Sequence, residues 1–166
     1  MRKFEKVTYE QFKNDCIAIG VNIDDKILTE VYNNIKMPIR KTKYSAGYDI
    51  HTPFAFTICK NENVTIPTGI KVKMEEDEYL ALHIRSSLGF KYNINLANIT
   101  GIIDFDYYDN KSNEGHIMIK LVNHGMDNMS FQKDDAIVQG IFSKYYTTDD
   151  DDASEKRNGG IGSTGA

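Results

Sequence analysis

Short segments whose apolar residues alternate with polar ones constrain this chain more than any other feature. Ile70, Val72 and Met74 alternate with Lys71 and Lys73. Leu80, Leu82 and Ile84 repeat the pattern, as do Ile117, Ile119 and Leu121. A period of two places one face of a strand in a core and the other toward water. Turn-forming stretches at 60–63, 75–78, 108–113 and 123–125 separate the segments. Many short strands at this spacing predict a β-sandwich or barrel. With 166 residues, one such domain with a short appendage accounts for the length and buries roughly 70% of its unfolded surface without staples. The two cysteines, Cys16 and Cys59, show neither a disulfide framework nor metal-ligand spacing.

The first 36 residues follow a different period and read as helical. Thr8 followed by Gln11 fits a capping box, and Phe12, Cys16 and Ile19 recur at helical spacing. Asp24 and Asp25 open a second segment carrying Ile27, Leu28, Val31 and Ile35, and Gly20 separates the two. A DNA-reading helix pair needs a positive face, but residues 1–36 hold six basic and six acidic groups. An appendage for packing, oligomer support or a protein partner is the better reading. The expected organisation is a helical hairpin at 1–36, a β-barrel at 37–148, and an acidic linker with a glycine-rich arm at 149–166.

Charge removes further classes. Net charge is −4, and no segment is a basic block, so nucleic acid is excluded as a partner. No apolar run approaches the ~20 residues of a membrane span. The opening residues lack the apolar stretch of a secretion signal, so a cytoplasmic protein is expected. His51, His83, His116 and His124 are scattered and read as surface or strand residues rather than zinc ligands.

Three clusters can carry chemistry. At the tail, glycines around Ser163 and Thr164, with Arg157 nearby, spell G-x-G-x-x-G without the strand and helix of a dinucleotide fold. Backbone amides there would cradle an anion, or the tail is simply loose. Arg85, Ser86 and Ser87 follow a strand and suit a phosphate or carboxylate. Asp104 ends the apolar run 99–103; a carboxylate there costs free energy unless paired or used, and it could activate water. Asp106 reads as a turn former. An acid-rich cluster together with substrate phosphates would also suit Mg²⁺.

In order along the chain, SAGYDI at 45–50, RSSLG at 85–89, NITGIIDFDY at 98–107, DDAIVQGIF at 134–142 and RNGGIGSTG at 157–165 resemble the five motifs of the trimeric dUTPase family. The resemblance implies a mainly β, jelly-roll barrel that forms a homotrimer with sites at subunit interfaces. It also implies Mg²⁺-assisted hydrolysis of dUTP to dUMP and pyrophosphate, limiting uracil in DNA and supplying dUMP, in a bacterial or phage-infected cell. Carried over by position, Asp104 aims water at the α-phosphorus, Tyr107 packs on the deoxyribose, and Asn98 reads uracil through its amide. Arg85, Ser86, Ser87 and Gln139 contact phosphates, and Asp49 holds Mg²⁺ through water. Arg157, Ile161, Gly162, Ser163 and Thr164 form an arm that closes over a neighbour's triphosphate.

The sequence departs from the family pattern in places. Ile161 stands where an aromatic is usual, Ala136 where Arg is common, and Ile84 where Pro often precedes the second motif. Residues 108–113 resemble an insertion. Two rivals follow from the same resemblance: a dCTP deaminase of the shared fold, and a nucleotide-binding trimer that regulates partner proteins. Lys120 falls where the deaminase design calls for a catalytic Glu, and Asp104 and Arg157 argue against a purely binding role.

Overall fold

The computed structural model describes residues 1–154 and 159. Eleven strands and three helices appear among them: β1 Lys3–Lys6, α1 Tyr9–Ala18, α2 Asp25–Asn33, β2 Tyr48–His51, β3 Phe56–Ile58, β4 Asn63–Pro67, β5 Ile70–Lys73, β6 Glu78–Ile84, α3 Ser86–Tyr92, β7 Ile94–Leu96, β8 Gly101–Asp104, β9 Met118–Asn123, β10 Met129–Phe131 and β11 Ala136–Lys144. The protein is mainly β, with the jelly-roll character expected from the sequence. Four antiparallel groups build it: β2-β11-β6-β8, β4-β9-β7, β1-β5 and β3-β10.

The alternating residues become the core. Ile70 and Val72 on β5, Leu80 and Leu82 on β6, and Ile119 and Leu121 on β9 are all buried. A bulge interrupts the β2–β11 ladder between Ala136 and Val138. Ile137 and Val138 are consequently both inside, and the next residue, Gln139, stands opposite Asp49. A bulge re-aims the side chains that follow it, and here it brings Gln139 to the strand that carries Asp49.

The helices share this core. Phe12 and Cys16 on α1 and Leu28 on α2 belong to the same buried cluster as the barrel strands. Phe12 stacks on Phe54 with ring centroids 6.0 Å apart. Thr8 caps α1 by accepting from the Gln11 amide, but Gln11 does not close the box. Its side chain bonds Asp15 instead, and the Thr8 N–H is taken by Glu114. Lys6 donates to the carbonyls of Tyr32 and Asn33 at the end of α2, where a cation satisfies orphan acceptors.

The helical reading of residues 1–36 needs one correction: Lys3–Lys6 is a strand paired with β5. Charged residues dominate it, so neither a helical nor a strand pattern stands out. Partner and packing decide its structure. Glu5 faces Lys71 across the ladder, and Phe4 sits 5.4 Å from the Tyr48 ring and 5.6 Å from Phe142.

Candidate active site

The motif residues gather into two separate clefts. The first has a volume of about 360 Å³ and lies where β2, β11 and the end of β6 meet. Arg85 leaves β6 just as α3 begins, so Ser86 and Ser87 follow it in the first helical turn. All three line the cleft with Asp49 and Gln139. Arg85 Nε pairs with Asp49 Oδ1 at 3.2 Å, which orients the guanidinium and leaves its other donors for an anion. Asp49 is 7% exposed. Its Oδ2 has no hydrogen-bond partner but forms an ion pair with Lys41 Nζ at 3.6 Å. A buried carboxylate oxygen in this condition suits an outer-sphere contact to a hydrated cation.

Lys41 also lines this cleft and lies outside the motifs, while Ser45 and Gly47, which join it there, belong to the first motif without a role assigned to them. The signal available was the basic run Arg40, Lys41 and Lys43 just before the first motif. Gly47 is there for space: a Cβ would come within 2.5 Å of Gln139 Oε1.

The second cleft, about 410 Å³, has an apolar lining that includes Leu82, Leu96 and Ile103, with Asn98 and Tyr107 at its wall. It shares no lining residue with the first. Asn98 is exposed beside Ile99, whose φ of 63° is strained for a β-branched residue. Such a turn between β7 and β8 places an amide at the mouth of an apolar slot, which suits a flat base with a polar edge. Lys120 lines the same cleft.

Tyr107 is 5% exposed. Its hydroxyl donates to the His116 carbonyl at 3.0 Å and accepts from Asn113 Nδ2 at 2.7 Å. Asn110 is buried and holds the loop from inside, donating to the carbonyl of Tyr107 and accepting from Ser112 and Asn113. Sequence reading missed this set. His116 is not a surface or strand residue: it is a fully buried loop residue, bonded to Asp15 at 2.5 Å. Burial would push the Asp15 carboxyl up, but bonds from His116 and Gln11 outweigh it and hold the group below its usual range. No local pattern could reveal a contact between residues so far apart in sequence.

Asp104 ends β8 in extended conformation, half-buried, and opens the single 3₁₀ turn Phe105–Tyr107. Its register partner is Tyr79, at the start of β6. Arg85 lies six residues further along β6, so Asp104 and the Arg85 cleft stand about 20 Å apart at ~3.3 Å per residue. Arg157, Ile161, Gly162, Ser163 and Thr164 lie outside the described residues.

Comparison with known proteins gives a concordant picture. A family model described as dUTPase matches residues 33–165. The deoxyuridine 5'-triphosphate nucleotidohydrolase of Lactococcus lactis subsp. lactis (strain IL1403) is 39% identical over 144 residues, covering 85% of this chain and 96% of its own length. The crystal structure of the dUTPase from Streptococcus mutans superposes with a TM-score of 0.66 at 32% identity, covering 88% of this chain and 98% of that one. The D95N dUTPase of phage phi11 of S. aureus, described with a coordinated structural Mg(II) ion, shares the fold with a TM-score of 0.66 at 17% identity, covering 93% and 97%.

Proposed function

The chain belongs to the dUTPase family and hydrolyses dUTP to dUMP and pyrophosphate; from that premise we propose that neighbouring copies complete each active site. The observation that carries this reading is the separation along β6. A triphosphate cannot span the ~20 Å between Asp104 and the Arg85 cleft while its α-phosphorus takes a water aimed by one and its phosphates contact the other. Asp104 and the nucleoside cleft of one copy therefore serve the phosphate cleft of the next, and a closed homotrimer satisfies every half-site.

In that site Asp104 accepts a proton from water as the water oxygen attacks the α-phosphorus. The bond to the bridging oxygen breaks, and pyrophosphate leaves with the electron pair. Arg85, Ser86, Ser87 and Gln139 hold the phosphates and offset charge developing on them. Tyr107 packs against the deoxyribose and leaves no room for a 2′-hydroxyl. Asn98 presents an acceptor and a donor to the uracil edge. By their place in the fifth motif, Arg157, Ile161, Gly162, Ser163 and Thr164 would contact the triphosphate.

The residues present fit a magnesium ion held mainly by the substrate. No cluster of three or more His, Cys, Asp or Glu side chains is placed to bind a metal among the described residues, while Asp49 Oδ2, beside Arg85, offers a carboxylate oxygen that accepts no hydrogen bond. When bound, the ion neutralises phosphate charge. Asp49 would hold it through water.

This activity limits uracil incorporation into DNA and supplies dUMP for thymidylate formation, in the cytoplasm of a bacterial or phage-infected cell. Among the described residues no helix is long and apolar enough to cross a membrane. The deaminase reading finds a lysine, Lys120, lining the nucleoside cleft, where it needs a carboxylate. The test is pyrophosphate release from dUTP, dTTP, dCTP and UTP, with and without Mg²⁺. Release confined to dUTP with Mg²⁺ supports the reading; equal turnover of UTP, or ammonia from dCTP, would refute it.

A further inference from the structure

The 107–116 loop is tied to the N-terminal segment, which lies outside the 33–165 family match. Tyr108 donates to Glu5 on β1 at 2.5 Å. Glu114 accepts from both the N–H and the hydroxyl of Thr8, the cap of α1. The central tie is His116. Its Nε2 accepts from the Gly69 N–H at 2.7 Å, so the ring is neutral with its proton on Nδ1. That proton is donated to Asp15 of α1 at 2.5 Å.

Both ring nitrogens are thus spent, one on the β4–β5 turn and one on α1, and the ring is fully buried. The backbone of His116 is fixed by its own side chain. Its carbonyl is the acceptor for the Tyr107 hydroxyl, and its N–H donates to Asn113 at 2.9 Å. Asn113 closes the circuit by donating to the same hydroxyl.

Resting on the proposed role of Tyr107 at the deoxyribose, we propose that Asp15, acting through His116, and Asn113 are positioning residues that set sugar selectivity. Two bonds hold the Tyr107 hydroxyl, and the ring is fixed as a wall rather than a swinging side chain. Asp15 controls one bond from a helix that lines neither cleft. Loss of either anchor lets the ring move and admits a 2′-hydroxyl.

The test compares kcat/KM for dUTP and UTP, by pyrophosphate release, in the full chain and in Asp15→Ala, Asp15→Asn, Asn113→Ala and Tyr107→Ala. Asp15→Ala removes the acceptor for a buried N–H, and the dUTP-to-UTP ratio should fall about five- to tenfold, through KM more than kcat. Asp15→Asn keeps an acceptor oxygen and should restore the ratio to within about twofold. Asn113→Ala, at the rim of the loop, should lower the ratio similarly and decides the matter if Asp15→Ala does not fold. A parental ratio in Asp15→Ala or Asn113→Ala, with the ratio collapsed in Tyr107→Ala, would overturn the positioning role and leave Tyr107 as the sugar wall. Failure of Asp15→Asn to restore the ratio would also overturn it. An unchanged ratio in Tyr107→Ala would overturn the role of Tyr107 and this proposal together.

Discussion

Arg85 and Asp104 stand at opposite ends of strand β6. Asp104 pairs with Tyr79 where β6 begins, and Arg85 follows the last residue of that strand. Pairing of β6 with β11 along its whole length, and with β8 at the Asp104 end, makes this separation rigid, so no side-chain rotation brings the two groups to one phosphorus.

In the proposed site Asp49 serves both the metal and the anion, with Oδ1 on Arg85 and Oδ2 accepting no hydrogen bond and 3.6 Å from Lys41 Nζ. Asp49→Asn should raise the Mg²⁺ concentration for half-maximal dUTP hydrolysis by about 10–100-fold, and chelation by EDTA should stop the parent enzyme. A Mg²⁺ titration that superposes on the parent's contradicts this.

Gly47 leaves room for Gln139. An alanine Cβ would lie 2.5 Å from Gln139 Oε1, and the flexible end of that side chain can move away. Gly47→Ala should therefore change the melting temperature little but raise KM for dUTP by about tenfold, as a phosphate contact is misplaced. Steady-state kinetics beside thermal melting checks both halves. A large loss of stability with normal KM would show that the glycine serves the fold instead.

Phe12 joins α1 to the barrel core and is fully buried. Phe12→Ala should destabilise by about 3–5 kcal/mol. Because the core is continuous, denaturant unfolding should remain a single transition shared by all probes. Two transitions would mean that the helices fold apart from the barrel.

How much of this was legible in the sequence depended on the range of the signal. The alternation in β5, β6 and β9 is local and survives folding because each strand needs one buried face. Ordered motifs located Arg85, Asp49 and Gln139, which share a cleft. They located Asn98 and Tyr107 as well, but not that these occupy a second cleft. The strand Lys3–Lys6 was hidden because its stability comes from β5 and from Tyr48, not from its own pattern. His116 was hidden for a related reason: its partners are Gly69 and Asp15, and only the closed fold makes them neighbours. The 108–113 loop was legible as a turn from its Asp, Asn and Ser residues, but the ties of Tyr108 to Glu5 and of Glu114 to Thr8 were not.

His51 gives a pH prediction. It is 5% exposed, and its Nδ1 lacks a hydrogen-bond partner. Burial first, and Lys36 second, push its pKa below the ordinary histidine value of 6.5. The unfolded chain then takes up a proton near 6.5 while the folded chain stays neutral, so stability is lost as pH falls from there toward the folded value. Going from about pH 8 to about pH 5.5, the parent should lose more melting temperature than His51→Gln, which has no such proton to bind. Equal losses contradict the assignment.

Subunit mixing tests the shared site most directly. On the proposed roles, Asp104→Asn chains lack the base and Arg85→Ala chains lack the phosphate anchor, so each variant assembled alone should be nearly inactive. After co-unfolding and refolding at equal amounts, a site built from two copies is intact wherever an Arg85→Ala chain supplies Asp104 to an Asp104→Asn chain. Random assembly predicts recovery of dUTP hydrolysis to about a quarter of the parent's activity. A mixture no more active than its two components would contradict the account, because it would place Asp104 and Arg85 in the service of one substrate within one chain.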